Sequence, residues 1–319
     1  MSRSPQQASR PVGPAAVARR ILAFPLTRIL VGCVVCMLAA QAVNVSLRGL
    51  LGLTGLDADT AKMIRVSFNV AAVLAAYHWL FKRLERREIT ELAVKHLPRD
   101  GTIGFLSAGL VIALVVLVLL ALGNYSVVGV NPSPFLQLYS LVIIATMAAT
   151  EEVLFRGIVY RITEASLGTN LALAASGLAF GLGHLSNENV TWVSVVLIAL
   201  GGVITGISFT WSGRLWYPIA IHVGWNYAQA FFGTTLSGMP EYASYGFVRG
   251  EMRGPELLTG GAFGPEGSVV TLALLLILSA WAYHGMRRDG KVVSPFWKSG
   301  SGRGGPTPQP GPGAPGEPR

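Results

Sequence analysis

Long apolar runs separated by short polar segments recur along the chain, near residues 29–47, 64–81, 103–123, 134–165, 170–186, 192–212, 216–232 and 268–286. A helix needs roughly 20 predominantly apolar residues to cross a bilayer. Lipid offers unpaired backbone groups no partner, so runs of this length read as helices. The pattern predicts an all-α, polytopic integral membrane protein with about eight transmembrane helices. It divides into a basic N-terminal segment (1–28), N-terminal spans (29–133), a core (134–232), an extracytoplasmic loop (233–267), a last span (268–286) and a tail (287–319). The tail is rich in Gly and Pro and is expected to be disordered.

Composition sharpens this picture. Only 13% of residues are charged and 51% are hydrophobic, against about 25% charged in a soluble domain. The net charge of +9 does not point to nucleic acid, because the basic residues cluster beside the apolar runs, as orientation signals do. With the N-terminus inside, 20 of the 25 Lys and Arg fall in cytosolic segments. The chain is therefore expected in the plasma (cell) membrane with both termini cytosolic. Cys33 and Cys36 lie inside an apolar run without a second pair and read as small packing residues.

The candidate chemistry lies where charge is least expected. Glu151, Glu152 and Arg156 sit inside the fourth run, although each ionisable group at mid-membrane costs about 2.5–3.5 kcal/mol on insertion scales. Glu152 and Arg156 stand at i and i+4 with Glu first, the order that pairs well. Glu151 is left without a local partner. The linker Ser166–Asn170 reads as a tight turn, and Glu151 and His184 each lie 16 to 17 residues from its centre. An antiparallel hairpin thus puts them at one depth. His222 and Asn226 share a helix face in the seventh run, and Gly202 and Gly206 form a Gly-x-x-x-Gly pair in the sixth.

This set suits amide hydrolysis. A carboxylate in low-dielectric surroundings can act as general base on water, a histidine can share that water, and neutral donors can receive the oxyanion. Alternatively, Glu151, His184 and His222 would hold a zinc ion with water in the fourth position. These residues leave the choice open. Soluble-metalloprotease His-Glu-x-x-His, hydrolase Gly-x-Ser-x-Gly and phosphate-binding motifs are absent from the sequence.

Three segments, Glu151-Glu152-Val153-Leu154-Phe155-Arg156, Phe180-Gly181-Leu182-Gly183-His184 and His222-Val223-Gly224-Trp225-Asn226, resemble the motifs of the CAAX prenyl protease and bacteriocin-processing (CPBP, or Abi) family of intramembrane endopeptidases. The resemblance covers residues 135–232. It implies that Glu151 activates water with His184 assisting, that His222 and Asn226 stabilise the oxyanion, and that Glu152 and Arg156 pair to shape the site. It implies no certain cofactor, zinc being the alternative. The implied partners are the lipid bilayer and a peptide or membrane-protein substrate. An inactive member acting as membrane scaffold or immunity protein is the rival reading. The Gly/Ala/Pro/Arg-rich composition resembles that of a high-GC bacterium. The oligomeric state is not set by the sequence.

Overall fold

A computed structural model describes residues 21–298. The basic segment up to residue 20 and the Gly/Pro-rich stretch from residue 299 lie outside the described residues. Eight helices stand where eight runs were expected: α1 (Pro25–Leu51), α2 (Ala58–Leu84), α3 (Leu97–Ala121), α4 (Pro134–Leu167), α5 (Thr169–Gly183), α6 (Trp192–Ser212), α7 (Trp216–Phe231) and α8 (Val269–Arg288). The chain is an all-α polytopic membrane protein, and six of these helices are each long and apolar enough to cross a bilayer. At 15 and 16 residues, α5 and α7 reach about 22–24 Å, short of the roughly 30 Å hydrocarbon core. Their ends fold back into protein, the one place where irregular backbone is tolerated at membrane depth.

Two features depart from uniform helix. Residues Val153–Tyr160 of α4 form a π-helical stretch, a local widening often found at functional sites. Outside the helices, β1 (Tyr125–Val130) pairs antiparallel with β2 (Val248–Met252), tying the α3–α4 connection to the loop after α7. Tyr125 Oη also donates to the Phe232 carbonyl at 2.7 Å. Residues 287–298 of the segment expected as a tail are among the described residues. Helix α8 runs to Arg288, and the Val293 backbone makes two hydrogen bonds with Thr169, its N–H donating to the side-chain Oγ1 (2.8 Å) and its carbonyl accepting from the backbone N–H (3.0 Å). This strap packs on the α4–α5 turn at Gly168, whose φ of +80° favours glycine and whose missing Cβ makes room for Val293 and Pro295.

Close helix packing positions the core. A Cβ on Gly224 of α7 would overlap the Phe105 carbonyl of α3, while one on Gly201 of α6 would meet nothing within 4 Å. Gly224→Ala is expected to cost about 1–3 kcal/mol by overpacking, seen as a lowered thermal midpoint. Gly201→Ala is expected to stay within about 0.5 kcal/mol of wild type.

The end of the bundle expected to face the cytosol gathers ion pairs. Glu85 is held by Arg28 (3.3 Å), Arg87 (2.8 Å) and Arg161 (2.8 Å), and Arg87 also pairs with buried Glu91, which accepts from Tyr77 Oη. Burial opposes the charge on Glu85, yet Arg161 and Arg87 outweigh it and hold the carboxyl below its ordinary range. Glu91 is likewise lowered against its burial by Arg87 and Tyr77. Carboxylates depressed in the folded state stabilise it fully above their unfolded value of about 4.3. That contribution is lost as pH falls through the lower folded values. The thermal midpoint is therefore expected to drop on acidification below about pH 4, and Glu85→Gln should flatten the drop.

Candidate active site

The carboxylates come from the α-helical turn of α4 that immediately precedes its π stretch. Glu152 and Arg156, both fully buried, pair at 3.0 Å between Oε1 and Nη1. The other guanidinium nitrogen, Nη2, donates to the Gly202 carbonyl of α6 at 2.9 Å. The small-residue pair in α6 thus does more than thin the helix: Gly202 supplies an acceptor, and a Cβ there would press on Nη2 at 3.1 Å.

The α4–α5 hairpin brings Glu151 and His184 together, Oε2 to Nε2, at 3.9 Å. Helix α7 adds His222, whose Nε2 lies 3.8 Å from the same Glu151 oxygen and whose Nδ1 lies 2.9 Å from Glu152 Oε1. That Glu151 oxygen is buried and has no hydrogen-bond partner among the described residues. Asn226, 4% exposed, sits one turn along α7. Five of the six residues singled out in the sequence are thus linked by contacts of 2.9–3.9 Å, and Asn226 follows one helical turn after His222.

The ring nitrogens can be assigned from their partners. His184 Nδ1 lies 2.8 Å from the Phe180 carbonyl, which can only accept, so Nδ1 carries the hydrogen and the neutral ring offers a lone pair at Nε2. His222 Nδ1 donates to the Glu152 carboxylate. Its Nε2 then accepts when the ring is neutral and donates when the ring is doubly protonated.

Zinc held tetrahedrally at about 2.0–2.1 Å sets its donors about 3.3 Å apart. The separations of 3.9 and 3.8 Å from Glu151 Oε2 are wider. Among the described residues no group of three or more His, Cys, Asp and Glu is arranged to hold a metal ion.

Residues 132–228 match the family model described as type II CAAX prenyl endopeptidase Rce1-like. This segment is similar to that family. The match agrees with the family that the three motifs resemble and supports a CAAX-protease-like peptidase. No curated protein and no solved structure matches the chain. The Rce1-like segment contains all six site residues and leaves α1 to α3, the loop after α7 and α8 outside it.

Within the Rce1-like segment, Phe180 has a place that its motif alone did not reveal. Its ring carries the Arg156 guanidinium at 4.3 Å and touches the rings of His184 (4.8 Å) and His222 (5.8 Å). A cavity of about 680 Å³ adjoins the site. Glu152, His184, His222 and Asn226 line one part of it, and Arg99, Asp100 and Arg214 another; Glu151 is not on its wall, although its Oε2 reaches two residues that are.

Sequence reasoning missed Glu266. It belongs to the loop expected to be extracytoplasmic, yet it is 7% exposed, lines the cavity, and accepts from Trp225 Nε1 (3.0 Å), Gln229 Nε2 (3.0 Å) and Ser237 Oγ. The signal lay in α7, where His222, Trp225, Asn226 and Gln229 form a polar stripe at helical spacing. Asn187 and Asn189, which flank Glu188, donate to the Ser237 and Gly238 carbonyls at 2.9 and 3.1 Å. They fasten the α5–α6 loop to the loop after α7, which closes over the site.

Proposed function

We propose that this protein is an intramembrane endopeptidase that hydrolyses a peptide bond with a glutamate-activated water. The observation that carries the reading is the convergence of Glu151 Oε2 with the Nε2 atoms of His184 and His222 at 3.9 and 3.8 Å. These gaps exceed a direct hydrogen bond and suit side chains that share a water molecule. A water in this position gives one hydrogen to Glu151 and the other to the lone pair of His184. Glu151 takes its proton as the oxygen attacks the substrate carbonyl carbon. The oxyanion so formed accepts from Asn226 and from the Nε2–H of doubly protonated His222, whose other hydrogen is bound by Glu152. Glu151 then gives its proton to the departing amine nitrogen as the C–N bond breaks, leaving a carboxylic acid and an amine. Arg156 offsets the charge of Glu152 and fixes its direction.

The substrate is a peptide segment of a membrane-associated protein, and the apolar cavity walls suit a bond that lies close to a lipid-like attachment or an apolar side chain. The bias of basic residues supports a cell-membrane protein with both termini cytosolic.

The test uses the full chain in nanodiscs and a peptide library containing Cys-a-a-X ends with and without a prenyl thioether. Cleavage by wild type, lost in Glu151→Gln and unaffected by chelators, is the expected result. A wild type that cuts nothing overturns the reading in favour of a scaffold, and chelator-sensitive cleavage overturns the metal-free mechanism.

A further inference from the structure

The proposed chemistry leaves one buried carboxylate on the cavity wall without a task. Glu266 lies outside the Rce1-like segment, in a single 3₁₀ turn (Pro265–Gly267) just ahead of α8. No Lys or Arg among the described residues pairs with it. Its three partners are neutral donors, Trp225 Nε1 and Gln229 Nε2 at 3.0 Å each and Ser237 Oγ. Hydrogen bonds to a carboxylate are roughly twice as strong as those between neutral groups. The turn that carries Glu266 is itself fixed: Thr271 of α8 donates to the Pro265 carbonyl at 2.7 Å, and the Gly267 N–H to the Gly264 carbonyl at 2.9 Å.

This clamp holds α7 on either side of Asn226. Trp225 precedes Asn226 and Gln229 follows it by three residues, so the three side chains span about 100° of helix arc. Asn226 makes no side-chain hydrogen bond among the described residues, and the helix therefore places its amide. Near the start of α7, the roll of the helix is set by His222 on Glu152 at 2.9 Å. Beyond Asn226 it is set by Trp225 and Gln229 on Glu266. A side chain reaches about 5–6 Å from the axis, so a roll of about 10° carries the Asn226 amide through about 1 Å. A misplacement of that size can cost about 10²-fold in rate.

We infer that Glu266 is a positioning residue for the oxyanion donor: through Trp225 and Gln229 it fixes the roll of α7 that aims Asn226 at the reacting carbonyl. This role presupposes the endopeptidase activity proposed for the chain. Glutamine is the informative substitute. Its amide keeps one acceptor oxygen but puts an NH2 group where the second oxygen accepts, so at least one donor is left facing another donor. Acting through Asn226, Glu266 can matter no more than that donor does, about 10²–10³ in turnover.

The experiment measures kcat and KM for a peptide that wild type cuts, with the full chain in nanodiscs. It compares Glu266→Gln and Gln229→Met, each alone and combined with Asn226→Ala, at a temperature well below the lowest thermal midpoint. Gln229 is fully buried and off the cavity wall. Gln229→Met thus removes a clamp donor without touching substrate, and it carries the comparison if Glu266→Gln does not fold. Each single variant is expected to lower kcat, Glu266→Gln by about ten-fold or more, with KM within about two-fold. With Asn226 already truncated, neither should lower kcat by more than about two-fold, because the donor they position is gone. An equal fall in both backgrounds marks a merely structural carboxylate and overturns the inference. Wild-type kcat in the folded variants overturns it too, as does a raised KM at unchanged kcat in Glu266→Gln, which makes Glu266 a substrate contact. In those cases wild type still cuts, and the endopeptidase reading stands. A wild type that cuts nothing overturns that reading, and the positioning role with it.

Discussion

Glu151→Gln should reduce kcat for peptide cleavage by about 10³-fold or more with little change in KM. General-base catalysis by a positioned side chain contributes typically 10²–10⁴-fold. Gln keeps the size of the side chain and one carbonyl oxygen but cannot accept a proton. Because Glu151 has only distant polar neighbours, at 3.8 and 3.9 Å, its neutralisation breaks no close hydrogen bond and should leave the thermal midpoint nearly unchanged. Loss of turnover without loss of fold is what separates a base from a structural carboxylate. Asn226→Ala serves as the graded companion, since one oxyanion donor is typically worth about 10²–10³ in turnover. A Glu151→Gln enzyme that retains a tenth of wild-type kcat would remove Glu151 from the chemistry. Glu152, on the cavity wall, would then be the first carboxylate to test as base.

Much of this arrangement was legible in the sequence because the decisive relations are local or pass through one turn. The spacing of four between Glu152 and Arg156 fixes their pairing on any helix. The hairpin count from residue 167 or 168 sets Glu151 level with His184, and it survives the π stretch between them because both arms of the hairpin are held by the same turn. Periodicity also gave the eight helices, since hydrocarbon leaves the backbone no alternative. What it could not give was length inside the fold: α5 and α7 end early because the loop after α7 covers their ends, and that cover depends on contacts such as Asn187 to Ser237, 50 residues apart. Glu266 was hidden for the same reason, as a carboxylate in a Gly/Pro-rich loop looks solvated until its partners on α7 are seen. Asp100 is similar. It lies in a basic segment, yet it is buried and bound by Arg214, 114 residues away, at 3.0 Å. No pattern of spacing reports pairs that distant.

The second large effect concerns stability. Arg156→Met is expected to lower unfolding free energy by about 3–5 kcal/mol, the cost of leaving one partner of a buried ion pair uncompensated. Both Arg156 and Glu152 are fully buried, so no solvent can take over the lost interaction. The guanidinium also donates to Gly202 and lies over Phe180, and the substitution removes those contacts at once. Methionine fills much of the same space without a charge, so the loss reads on electrostatics more than on volume. The discriminating measurement is a double-mutant cycle by thermal or denaturant unfolding in one fixed detergent. Glu152→Gln alone leaves Arg156 unpaired and should also destabilise, whereas Glu152→Gln/Arg156→Met leaves neither charge buried alone. The double variant should therefore be more stable than the two single losses added together, with a coupling of about 1–3 kcal/mol. Strict additivity would mean that the pair contributes only packing. Activity separates the two levels of the structure: the double variant regains stability yet stays slow, because the neutral amide introduced by Glu152→Gln cannot hold the second proton of His222 as a carboxylate does.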